Sequence, residues 1–131
     1  MALLDTNALV WFALDPQKLS SRAVKAMRQP GNVVSHVSLW ELAIKSSLGK
    51  LVLSDPSGAR VSARQFVLTM GRELGLGLVS LAFDDFDDVE TLPFHHRDPF
   101  DRLLAVVAHR HQLPIISADA VFEQYGVKRV W

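Results

Sequence analysis

The sequence predicts an α/β fold built on a small, mainly parallel sheet with helices on both faces. Three observations predict it. Apolar runs of about three to five residues alternate with helical patterns along the whole chain, the rhythm of strand–helix–strand units. Short apolar runs of this kind suit strands buried on both faces. The 131 residues, 49% of them hydrophobic, provide one core and therefore one domain, spanning 1–131.

In order, Ala2-Leu3-Leu4 reads as a buried strand beginning almost at Met1, stopped by Asp5-Thr6-Asn7. Ala8 to Leu14 is a short apolar helix closed by Asp15-Pro16, and Ser20 or Ser21 starts a second helix through Met27. Gln29-Pro30-Gly31 ends that helix, and Asn32 to Ser35 is the second strand. Ser38 is read as the cap of a helix from Leu39 to Leu48, stopped by Gly49. Leu51 to Gly58 is a loop or weak hairpin, and Ser62 to Leu74 is helical. Leu78 to Leu81 is the third strand, followed by a helix from Asp84 to Thr91 with an acidic, solvated first turn. Pro99 is pre-set for the first position of the next helix, with Asp98 as its cap. Its apolar stripe falls at positions 100, 103, 104, 107, 108 and 111. Pro114 to Ser117 is the fourth strand, Asp119 to Gln124 a short helix, and Val127 to Val130 a last edge strand.

Composition excludes several classes. The absence of cysteine removes disulfides and thiolate metal sites. No signal-like N-terminus and no membrane-length apolar run occur, so a soluble, cytoplasmic protein is expected. Acidic and basic residues balance at 14 each, so bulk charge names no partner, although a local basic face is enough for nucleic acid.

In a parallel sheet, residues just past the strand C-termini converge on one edge, where ligands bind. Asp5 directly follows the first strand and Asp119 the fourth. Glu41 lies early in the helix after the second strand, and Asp101 in the first turn of the helix before the fourth. Each has a purely structural account. Asp5 is able to bond the next turn, and Asp119 to cap the last helix. Glu41 is spaced as a capping partner of Ser38 and as an ion-pair partner of Lys45. Asp98 and Asp101 are spaced as a capping box. Jointly, four carboxylates at one edge repel one another unless something neutralises them, and hard divalent cations do so. Lys45, Lys50, Arg97 and Arg102 fall near this edge, placed either to touch phosphates or simply to solubilise the surface. Trp11 and Trp40 are read as core or partner-interface residues, and His95 and His96 either as ligands or, as adjacent loop histidines more often are, as merely exposed.

Leu4-Asp5-Thr6-Asn7, Val34-Ser35 through Ser38-Leu39-Trp40-Glu41-Leu42-Ala43-Ile44-Lys45, His96-Arg97-Asp98-Pro99-Phe100-Asp101-Arg102-Leu103-Leu104 and Ile116-Ser117-Ala118-Asp119 together resemble the PIN-domain ribonucleases. Within that family the resemblance is to the VapC-like toxins of type II toxin–antitoxin pairs. It covers almost the whole chain, and Asp-Pro-Phe-Asp-Arg is its most specific block. The resemblance implies a PIN-like three-layer α/β/α sandwich and an Mg²⁺- or Mn²⁺-dependent endoribonuclease that cleaves RNA phosphodiesters through metal-activated water. By it, Asp5, Glu41, Asp101 and Asp119 are the metal-binding and catalytic quartet, and Asp98, Ser117 and Thr6 support them. Lys45 and Arg102 would then contact RNA phosphates. It further implies a homodimer, or a larger toxin–antitoxin assembly, silenced by a cognate antitoxin. Ala8 to Leu14 and the helix around Trp40 are the candidate surfaces for that contact. Two other functions compete: a catalytically silent PIN scaffold that binds RNA or protein, and a metal-dependent phosphatase. Against the phosphatase, Asn7 stands where haloacid-dehalogenase-like chemistry wants a second Asp.

Overall fold

The computed structural model describes residues 1–131. Five strands form one all-parallel sheet: β1 (Leu3–Leu4), β2 (Val33–Ser35), β3 (Gly77–Val79), β4 (Ile115–Ile116) and β5 (Arg129–Val130), in the order β3-β2-β1-β4-β5. Seven helices accompany them: α1 (Thr6–Leu14), α2 (Ser21–Met27), α3 (His36–Ser47), α4 (Ala63–Leu74), α5 (Asp84–Thr91), α6 (Pro99–Arg110) and α7 (Val121–Gln124). A 3₁₀ turn, Pro16–Lys18, follows α1.

Strand alternation explains the layers. Leu3 and Ile115 point to one face of the sheet, Leu4, Val34 and Ile116 to the other. The second set packs with Leu9, Met27, Leu42, Phe66 and Met70 from α1 to α4. The first packs with Val37, Leu104, Val107 and Phe122 from the start of α3, α6 and α7. Two cores on either side of one sheet make the three-layer α/β/α sandwich. No helix is long and apolar enough to cross a membrane.

Several elements begin elsewhere than their local pattern suggests. Helix α3 starts at His36, capped by Ser35, whose hydroxyl accepts from Val37 N–H; Ser38 is already inside the helix. Both residues are serines, and the end of β2 decides between them. Asn32 is withdrawn from β2 because its amide donates to Ala26 O and Met27 O and accepts from Ala2 N–H, tying the end of α2 to the first strand. Residues 51–58 contribute only an antiparallel bridge from Ser54 to Arg60. Asp119 lies before α7 rather than in it. Asp85 is fully buried, accepting from Ala82 N–H and lying 2.7 Å from Arg110 Nε, so the first turn of α5 is not wholly solvated. In α6 the expected stripe widens to an unbroken buried run from Arg102 to Ala108, since α3 and α5 also pack against this helix. Trp11 packs at the first core, edge-on to Trp131, whereas Trp40 is 53% exposed and meets Phe100 edge-on at 4.9 Å.

Candidate metal centre and active site

The chain leaves β1 toward β2 and β3 on one side, and reaches β4 and β5 on the other. This reversal beside β1 creates a crevice at the strand C-termini. Asp5 caps the end of β1 there, 4% exposed. Glu41, 3% exposed, enters on the second turn of α3. Asp101 enters on the first turn of α6, and Asp119 from the turn after β4.

Ser117 joins two of them. Its hydroxyl donates to Asp5 Oδ2 at 2.7 Å and accepts from Asp119 N–H at 3.0 Å. Thr6, also buried, donates to Ser38 Oγ at 3.0 Å and so fastens α1 to α3 beside Asp5. Glu41 Oε1 pairs with Lys45 Nζ at 2.5 Å, while its Oε2 is buried without a hydrogen-bond partner. A buried carboxylate oxygen left unpaired costs on the order of 1–3 kcal/mol, which a cation in the crevice would recover.

The electrostatics fit such a cation. Burial pushes Asp5 up from 3.8 to about 6, Ser117 holding it down and Glu41 raising it further. Asp101 rises to about 8, first through burial and then through repulsion by Asp5, Asp98, Glu41 and Asp119. The structure thus brings the four sequence-predicted carboxylates into one mutually repelling group. Removing the Ser117 hydroxyl should raise Asp5 further: in Ser117→Ala without divalent ions, the Asp5 carboxyl ¹³C titration is expected to move above about 6. An unmoved midpoint would show that this bond does not matter to Asp5.

The capping-box spacing at α6 is only half used. Asp98 Oδ1 does cap the helix, accepting from Phe100 N–H and Asp101 N–H. The reciprocal bond of a capping box is not made by Asp101; Asp98 N–H donates instead to His96 Nδ1 at 2.9 Å. Asp101 is therefore free to face the crevice. His96, for which the sequence favours mere exposure, belongs to the site: its Nε2 lies 3.1 Å from Asp101 Oδ2 and 3.3 Å from Asp119 Oδ2. No spacing rule marks His96, because the irregular segment before α6 aims it.

Arg102 does not reach the crevice surface as a phosphate ligand would. It is 6% exposed, and its guanidinium donates to Val89 O, Leu92 O, Pro93 O and Tyr125 Oη while lying 4.0 Å over the Phe94 ring. Its donors are occupied in holding the α5–α6 connection, which corrects the expectation of an RNA contact. Lys45 stays at the crevice, paired with Glu41.

The PIN domain family model matches residues 2–128. No curated protein sequence matches the chain. Among solved structures, a toxin–antitoxin complex from Klebsiella pneumoniae aligns with a TM-score of 0.59 at 16% identity, over 91% of this chain and 87% of that one. VapBC2 from Rickettsia felis, bound to a DNA fragment from its promoter, gives 0.64 at 13%, over 99% and 98%. FitAB bound to an IR36 DNA fragment gives 0.63 at 15%, over 98% and 93%. At such identities the likeness establishes the fold.

Proposed function

Since the chain belongs to the PIN-domain family, we propose that it is a divalent-metal-dependent endoribonuclease and the toxin of a type II toxin–antitoxin pair. The observation that carries this reading is the convergence of Asp5, Glu41, Asp101 and Asp119 on one crevice, with a Glu41 oxygen buried and unpaired. The toxin–antitoxin context of the similar solved structures supports the biological role.

Asp5, Glu41 and Asp101 would hold the principal Mg²⁺ or Mn²⁺, with Asp119 completing that site or belonging to a second, weaker one. When bound, such an ion neutralises the carboxylates and makes water a competent nucleophile toward a phosphodiester. The chain's own residues do the positioning. Ser117 orients Asp5, Asp98 fixes the first turn of α6 that carries Asp101, and Thr6 fixes α1 against α3. Lys45, anchored by Glu41, supplies a positive charge beside the phosphate. A cognate antitoxin would cover this acidic mouth and the exposed Trp40 beside it. Of the stretch Ala8 to Leu14, Ala8 to Val10 are buried in the core, and only its far end, Ala13 and Leu14, is exposed to a partner. We assign a homodimer on the family resemblance.

Cleavage of total RNA by partner-free protein is the test. Discrete fragments are expected with Mg²⁺ or Mn²⁺, and none with EDTA or with Asp5→Asn. Intact RNA from folded protein under every condition would leave a silent binding scaffold, and release of phosphate from small phosphomonoesters instead would favour the phosphatase.

A further inference from the structure

His96 is held at three points. Its backbone N–H donates to Tyr125 Oη at 3.0 Å, its Nδ1 accepts from Asp98 N–H at 2.9 Å, and its Nε2 lies between the Oδ2 atoms of Asp101 and Asp119. Because Nδ1 spends its lone pair on Asp98, the ring proton sits on Nε2 and points at the two carboxylates. Ligation of a metal through Nε2 needs the opposite tautomer, which would set Nδ1–H against Asp98 N–H, donor facing donor, at the cap of α6. His96, Asp101 and Asp119 offer three atoms within 4.8 Å of one another, a spacing that suits three ligands of one ion. The hydrogen-bond pattern argues against the histidine in that role.

We propose that His96 is a placeholder: its Nε2–H fills the position between Asp101 and Asp119 that a second cation would take, and so confines the resident ion to the side of Asp5, Glu41 and Asp101. This rests on the metal-dependent reading above. The buried, unpartnered Glu41 Oε2 is the independent sign that the favoured cation position lies on that side. His96 is thus a positioning residue, working through the two carboxylates it holds together. Without the imidazole, Asp101 and Asp119 would share an opening for a second ion. Glutamine can imitate the ring, accepting from Asp98 N–H through its oxygen and donating through its nitrogen.

The test is Mn²⁺ titration followed by electron paramagnetic resonance on wild type, His96→Ala and His96→Gln. Imidazole ¹⁵N spectra of wild type, with and without Mg²⁺, accompany it. One ion is expected for wild type and His96→Gln and two for His96→Ala, with the Nε2–H tautomer of His96 unchanged by Mg²⁺. Two ions in wild type, an unchanged or lower count in His96→Ala, or an Mg²⁺-induced switch to Nδ1–H would each overturn the placeholder role and leave the nuclease reading standing. No Mn²⁺ bound by any of the three would overturn both. The ¹⁵N arm uses unaltered protein, so a variant that fails to fold does not spare the proposal.

Discussion

Asp101→Asn is expected to reduce RNA cleavage by at least about 100-fold and, in EDTA at pH 8, to melt roughly 5 °C or more above wild type. The two effects share one cause. A carboxylate placed where the proposed cation would sit is, in the absence of that cation, a liability to the fold. Its pKa is about 8 in the folded protein against 3.8 for the free group. Below about pH 4 it is neutral in both states and does no harm. As pH rises from there, the unfolded chain releases the proton while the folded chain keeps it, so stability falls; near pH 8 the folded state ionises too and the decline ends. Asp5 adds a decline of the same sign that ends near pH 6. Wild type in EDTA should therefore lose melting temperature up to about pH 8, whereas the variant should lose it only up to about pH 6. Saturating Mg²⁺ should reverse the ranking. A variant that melts below wild type in EDTA at pH 8 would refute this account of Asp101.

Arg102→Lys is expected to cost about 3 kcal/mol or more, read as a lower denaturation midpoint and a melting temperature reduced by roughly 10 °C. The guanidinium reaches Val89 O, Leu92 O, Pro93 O and Tyr125 Oη as a planar fork and lies on Phe94. An ammonium has neither the reach nor the geometry to serve them all, and the part-buried carbonyls it leaves unpaired cost about 1 kcal/mol or more each. Tyr125 also receives the His96 amide, so the loosened segment carries His96 with it. A loss below about 1 kcal/mol would mean that the carbonyls find other partners.

The strands of a parallel sheet and the gathering of four carboxylates at its edge were legible because both follow from local pattern, whereas the strand order was not. Each strand is a short apolar run, and acids placed just after strands, or at the first turn of the helix before one, must meet at one edge if the strands are parallel. What was not legible depends on tertiary neighbours. Arginine is ordinarily a surface residue, and nothing near position 102 announces that three carbonyls from the end of α5 and the segment after it will close over it. His96 has a place in the site only because Asp98 spends its backbone amide on the ring rather than on Asp101. Asp85 looked like its acidic neighbours until Arg110, a helix away, reached it. Ser35 and Ser38 are equally good caps, and the end of β2 chose the first.

The bond from Ser117 to Asp5 joins residues 112 positions apart. On the ribosome, Asp5 emerges 112 residues ahead of its hydroxyl partner, and β4 and Asp119 emerge beside that partner. A nascent chain can pair β1 with β2 and gather much of the first core long before then. It cannot assemble the cleft. The crevice is thus incomplete until residue 119 has emerged, while the surface of α1 to α4 is free to fold ahead of it.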